Sequence, residues 1–223
     1  METGNKLTKT ESILYINNQF HFWDKIEKKE ISLTTDKPFE LNPNCTVFVD
    51  TPDFNLIPLA IAKNISNSEK IAFLTTNIEN KLIVKNDINQ LESELCWLIN
   101  ESDNSLIHAK IPGSKIKHIS EAIINGNFQD ENSMVLFNTK SAVYISAYCD
   151  KKFKLINRFE IVNNEDLLYY TLLTIKETGL SNKKFTIYQH GLKNDYLGNK
   201  LLNTLPNCII KQMEENSYTS ILD

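Results

Sequence analysis

Residues 134–179 read MVLFNTKSAVYISAYCDKKFKLINRFEIVNNEDLLYYTLLTIKETG, and the spacing inside this stretch decides the fold. Met134–Phe137 is an apolar run of strand length. Asn138-Thr139-Lys140-Ser141 is a polar turn, and Ala142–Tyr148 returns as a second strand. Cys149-Asp150-Lys151-Lys152 is a further polar turn. Phe153, Leu155, Phe159 and Ile161 lie two or four apart, with Lys154, Arg158 and Glu160 on the other face, which predicts a half-buried third strand. A helix over 164–178 follows. Asn163-x-x-Asp166 resembles a cap, Glu165 and Asp166 suit the positive end of the helix dipole, and Gly179 suits the position just past its end. Leu167, Leu168, Tyr170, Leu172, Leu173 and Ile175 cover most of its circumference, which predicts burial on more than one side.

Downstream, Phe185–Gln189 is a strand, Asp195–Leu205 a helix and Cys208–Lys211 a final strand, so the order is β-β-β-α-β-α-β. The chain opens in the same way. Ile13-Leu14-Tyr15-Ile16, a turn at Asn17-Asn18, Phe20–Trp23, and Ile31 with Leu33 form a meander. Asp36, Pro38, Asn42, Pro43 and Asn44 mark residues 35–45 as loop, and Thr46–Val49 is a buried-type strand. Phe54–Pro58 is extended, and Pro58 leads into a short helix, Leu59 to Lys63. Ser66-x-x-Glu69 is a capping box opening a helix that carries Ile71, Ala72, Phe73 and Leu74. Lys81–Lys85 and Glu94–Ile99 read as strands, and Ser102–Ala109 as a helix broken by Pro112-Gly113. Ile116 and Ile119 suggest another strand and Ser120–Asn125 a short helix. The fold class is α/β: two ribonuclease-H-like halves, 1–130 and 131–223, joined by the polar stretch 125–132. The N-terminal half is the more eroded, because 35–45 offers only a loop where a long helix should follow the third strand. That duplicated architecture is the one found in actin-like ATPases.

Three stretches carry a resemblance. They are Phe159-Glu160-Ile161 through Asn164-Glu165-Asp166-Leu167-Leu168-Tyr169-Tyr170, Val49-Asp50-Thr51-Pro52 with Phe54-x-Leu56-Ile57-Pro58, and Ile111-Pro112-Gly113 followed by His118. The chain resembles a family of uncharacterised Bacteroidetes proteins with a domain of unknown function, grouped with degenerate actin-like ATPases. The resemblance implies a fold and carries no functional residues.

Composition bounds the rest. The 223 residues are 41% hydrophobic and 23% charged, an ordinary globular mix. No apolar run approaches the roughly 18–20 residues that span a bilayer, and the polar start, Met1-Glu2-Thr3-Gly4-Asn5-Lys6, lacks a secretory h-region. A cytoplasmic location without a membrane partner follows as the expectation. Cys45, Cys96, Cys149 and Cys208 are too far apart for a Cys-x-x-Cys motif and read as reduced thiols. The net charge of −4, with Arg158 the only arginine, argues against nucleic acid as the main partner and removes bidentate clamps on phosphate.

Actin-like ATPases bind phosphate with Asp-x-Gly hairpin turns; here the turns are Asn17-Asn18-Gln19 and Asn138-Thr139-Lys140-Ser141, without Asp or Gly. A metal-dependent nuclease needs carboxylates at strand centres, and Asp50, Glu94, Asp150 and Glu160 do not supply them. Cys149-Asp150 with His190 is a conceivable nucleophilic pair. His21, His108, His118 and His190 lack ligand spacing, so no metal is expected. Lys25, Lys28 and Lys29, Lys151, Lys152 and Lys154, and Lys183-Lys184 form three turn clusters that allow weak RNA association. The expectation is a non-catalytic binding or scaffolding protein with no cofactor. The alternative is a non-hydrolysing nucleotide or small-ligand binder in the crevice between the halves, with Asn138, Thr139, His190 and Gly191 as candidate contacts. A protein partner or a second copy would sit on Phe20, Phe22 and Trp23, if those aromatics are not core.

Overall fold

The computed structural model describes residues 12–24, 29–35, 45–75, 77–126, 130–213 and 217–222. The expectations for the loop at 36–44, for Lys25 and Lys28, and for 127–129 of the linker lie outside these residues. The chain divides into two compact units, Met1–Glu121 and Ala122–Asp223. The division falls inside a helix, upstream of the polar stretch 125–132. Ile123 and Ile124 are fully buried, and the Ile124 carbonyl accepts a hydrogen bond from Tyr148 of the second unit.

In the first unit, strands β1 (Ser12–Ile16), β2 (Gln19–Asp24) and β3 (Lys29–Thr34) form an antiparallel meander. Asn17 and Asn18 join β1 to β2 with φ of 51° and 59°, left-handed values that asparagine tolerates better than most residues. Strand β4 (Thr46–Val49) then runs parallel to β1. An insertion follows: β5 (Phe54–Pro58), α1 (Leu59–Ala62), α2 (Asn67–Ala72), β6 (Lys81–Ile88) and β7 (Ser93–Asn100). Its strands form a separate antiparallel sheet in the order β5-β7-β6. Helix α3 (Glu101–Lys110) leads to β8 (Lys115–His118), which pairs parallel to β4, and α4 (Ile119–Asn125) follows directly. The main sheet is therefore β3-β2-β1-β4-β8.

Two expectations change here. Ile119 opens α4 instead of extending the strand, because Val49↔His118 is the last pair β4 can offer. Helix α2 starts at its capping box, Ser66 with Glu69, but stops at Ala72. Phe73 is 60% exposed, and Leu74 packs on Ile57, Ala62 and Cys96 from beyond the helix end.

The second unit is built from β9 (Ser133–Asn138), β10 (Ala142–Cys149), β11 (Lys152–Glu160), α5 (Asn164–Glu177), β12 (Phe185–Gly191), α6 (Asp195–Thr204) and β13 (Cys208–Gln212). Its sheet order is β11-β10-β9-β12-β13, with β9, β12 and β13 parallel. Both main sheets thus share one strand order and one set of directions. Asp150 and Lys151 close the β10–β11 hairpin with φ of 55° and 58°. The capping box of α5 is present, with the Asn163 side chain accepting from Asp166 N at 2.9 Å. Gly179 takes the left-handed conformation past its end, φ 78°.

Helix α5 is less enclosed than its apolar count predicts. Leu167, Thr171, Thr174 and Ile175 are buried, but Tyr169 is 61% exposed. Threonines take the tight positions because each can satisfy its hydroxyl within the helix, as Thr171 does on Leu167 O at 2.7 Å. Tyr170 instead lies flat on Phe159 of β11, ring centroids 4.3 Å apart. Leu167 and Ile175 join Met134, Leu136, Val143, Ile187, Leu197 and Leu201 in one core between the sheet and both helices.

Candidate functional site

Open α/β sheets take ligands at the carboxyl ends of their strands, where neighbouring connections leave in opposite directions. In the second unit that place lies between β9, which turns back into β10, and β12, which continues into α6. Asn138 and Gly191 are the last register pair of these two strands. The structure therefore brings three of the four candidate residues, Asn138, His190 and Gly191, to one sheet edge, and Thr139 follows immediately.

Their polar atoms are committed to the chain's own backbone. Asn138 Nδ2 donates to Leu192 O at 2.9 Å, and Leu192 N donates to Asn138 O at 2.9 Å. Thr139 Oγ1 donates to Ala142 O at 2.9 Å and accepts from Ala142 N at 3.0 Å, which closes the β9–β10 turn. Gly191 has φ 76°, and a Cβ there would sit 2.2 Å from Asn138 O, so this position admits glycine alone. The glycine is needed for strand–strand approach within the protein.

His190 points to the opposite face from Asn138. There the segment 217–222 covers it: Gly191 bridges to Ser217, Tyr218 meets Phe137 edge-on at 6.2 Å, and His190 Nδ1 lies 3.2 Å from Ser220 Oγ. The Ser220 hydroxyl donates to Ser217 O at 2.8 Å, so the imidazole Nδ1 carries the proton of this contact. The ring is 2% exposed, and burial pulls its pKa down to about 4. At neutral pH it is uncharged and offers no cation to a phosphate.

On the other face of the same edge lies a cavity of about 10 Å³, lined by Leu136, Asn138, Leu167, Gln189, Leu192 and Leu197 among others. Asn138 Oδ1 and Gln189 Nε2 are buried without a hydrogen-bond partner among the described residues.

Cys149 and His190 do not meet. Cys149 ends β10, which pairs with the amino end of β9, whereas His190 pairs with Phe137 at the carboxyl end. Four residues of strand, about 13 Å, separate those edges. Of the two readings open for the β2 aromatics, packing in the core is the one found for Phe20 and Phe22, both 0% exposed, with Trp23 half-buried. His21 between them is buried too, held by Glu30 Oε1 and Ser32 Oγ, each at 2.8 Å. Both faces of β2 are covered, which alternation alone does not reveal.

One of the lysine clusters, Lys183-Lys184, borders a cleft at the amino edge of the second sheet together with Lys211. The cleft there measures about 730 Å³ and includes Asp130, Glu131, Asp150, Lys183, Lys184 and Lys211. Lys183 donates to the Asp150 carboxylate, and Lys211 lies 3.6 Å from Asp130. Hydrogen bonds from Thr186 and Tyr188, with the Lys211 charge, hold Asp130 below the ordinary carboxylate range. The cleft carries both signs and is not a basic patch.

Sequence reasoning missed a buried cluster in the insertion. Lys70 of α2 is 4% exposed and donates to Glu94 Oε1 at 2.6 Å, and Cys96 Sγ donates to the same oxygen at 3.0 Å. Desolvation and the neighbouring carboxylate push the Cys96 thiol up to about 12, so it stays protonated. No sequence signal marks this cluster, since Lys70 and Glu94 meet only through the packing of α2 on β7. In β1, Tyr15 donates to Asp103 Oδ1 at 3.1 Å; burial and the carboxylate raise its pKa. Among the described residues no group of three or more His, Cys, Asp or Glu could hold a metal, and no helix is long and apolar enough to cross a membrane.

A crystal structure from Bacteroides thetaiotaomicron, described as a protein with an actin-like ATPase fold and unknown function, is similar over 94% of both chains, with a TM-score of 0.69 and 17% identity. At that identity the likeness concerns the fold. The cytoplasmic domain of EpsL, an inner-membrane component of the type II secretion system of Vibrio cholerae, aligns over 95% of this chain and 91% of that one, with 7% identity and a TM-score of 0.49. No curated protein matches the sequence. The model of a family described as protein of unknown function (DUF3822) matches residues 20–205, and the chain belongs to that family.

Proposed function

We propose that the chain is a non-catalytic binding or scaffolding protein of the cytoplasm. Its two main sheets are read as ribonuclease-H-like halves of a duplicated, degenerate actin-like fold. The shared strand order supports duplication. Erosion of the first half is supported by the connections: residues 35–45 join β3 to β4, whereas 161–184, with all of α5, join β11 to β12. Four free, buried cysteines fit a reducing compartment.

One observation carries the non-catalytic reading. At the carboxyl edge of the second sheet, the turn that would cradle a phosphate is closed on itself by Thr139 and Ala142, and the neighbouring strand end abuts Asn138 with no gap. Backbone N–H groups used inside the protein are not available to a phosphate. Thermal melting with ATP and Mg²⁺ tests this: the melting temperature should not move at millimolar nucleotide. A saturable rise would favour a non-hydrolysing nucleotide binder instead.

A further inference from the structure

We propose that the cavity under the β12–α6 loop is a recognition site for a carboxamide group, an N–H and a C=O presented side by side. The inference rests on the binding half of the reading above and lies within the second unit alone. Asn138 and Gln189 are 9% and 8% exposed, and both line the cavity. Because Gln189 pairs with Leu136 and Gly191 with Asn138 in the parallel ladder, the two side chains stand on the same face of adjacent strands. Asn138 is oriented by its bond from Nδ2 to Leu192 O, which leaves Oδ1 as the acceptor of the pair. Gln189 supplies the complement, an N–H at Nε2. Both atoms are buried and unpartnered among the described residues.

An unpaired buried polar atom is costly, and two of opposite sense in one apolar-walled cavity match one ligand group that accepts and donates. A carboxylate fails, because it can accept from Gln189 but offers Asn138 no proton. An ammonium fails the other way. Leu136, Leu167, Leu192 and Leu197 suit the apolar faces of a planar amide, and His190 and Asn194 complete the lining. The room is about 10 Å³, so the head group enters as the half-buried Leu192 side chain moves aside while the Leu192 backbone stays bonded to Asn138. The location is the carboxyl end of β9 and β12, where this class of sheet takes ligands.

The test is an NMR titration of the side-chain amide resonances of Asn138 and Gln189 in the full chain. Acetamide, the N-acetyl methylamide of glutamine, and acetate are the probes. Saturable shifts with acetamide and none with acetate are expected. At least tenfold tighter binding of the glutamine derivative would support the proposal and identify a peptide side chain as the carrier; equal affinity would support a free carboxamide. Gln189→Met keeps the volume and removes the donor, so it should weaken acetamide binding at least tenfold while the variant melts no lower than the wild type. No saturable shift with either amide, which is the result for a cavity that holds a bound water only, would overturn the proposal. So would equal shifts with acetate, or unchanged acetamide binding in a folded Gln189→Met chain. The ATP melt reports on a different edge chemistry, so failure here leaves that result standing.

Discussion

Acid should loosen the protein through His190. The ring is 2% exposed, and burial lowers its pKa from 6.5 to about 4. In the unfolded chain the imidazole titrates normally, so between these values the unfolded state binds a proton that the folded state does not. Stability from this group is fully present above pH 6.5 and is lost as pH falls towards 4. A gap of about 2.5 units at roughly 1.4 kcal/mol per unit gives about 3 kcal/mol, a large share of the 5–15 kcal/mol that holds a typical domain. Urea unfolding at a series of pH values from 7.5 to 4 measures it, with His190→Asn as the reference. The asparagine keeps a donor for Ser220 Oγ, and its smaller volume costs a constant amount at every pH. Carboxylates elsewhere titrate in both proteins and cancel in the difference. The wild type should therefore lose about 3 kcal/mol relative to the variant between pH 6.5 and 4. Parallel curves would refute the reasoning, as would a His190 ring proton titrating near 6.5 by NMR in the folded protein.

Gly191→Ala should cost about 3 kcal/mol or more, since φ 76° and a contact of 2.2 Å with Asn138 O leave a Cβ no place; urea unfolding reads the loss, and a cost below about 1 kcal/mol would show that β9 and β12 separate easily. Lys70→Met should cost about 3 kcal/mol by leaving the Glu94 carboxylate without its cation, and adding Glu94→Leu should restore most of it. A double-mutant cycle with no coupling would mean that Lys70 and Glu94 are independently solvated.

Local chemistry made caps and turns legible in both units. The α5 cap at Asn163 and Asp166, the left-handed Gly179, the α2 capping box and the asparagine hairpin at Asn17-Asn18 all formed where their residues stand. Each depends on atoms within about four residues, so neighbours in sequence suffice. Alternation in β11 and the β-β-β-α-β-α-β order are legible for the same reason. Alternation, however, shows that two faces differ and not what covers each. Phe20, Phe22 and His21 are all buried, the last by Glu30 and Ser32 across the meander.

Pairing between distant segments belongs to the tertiary structure. The register of β9 with β12 sets Asn138 beside Gly191 and Gln189 on the cavity face, and sends Cys149 to the far edge from His190. The insertion's third sheet joins β5 to β7 across α1, α2 and β6, and no local pattern encodes that choice. His190 becomes a buried neutral base only because residues 217–222 return to cover it. Desolvation is a property of everything packed around a group, so the sequence determined which residues stand at the carboxyl edge of the strands, and tertiary packing decided their charge state and their unmet hydrogen bonds.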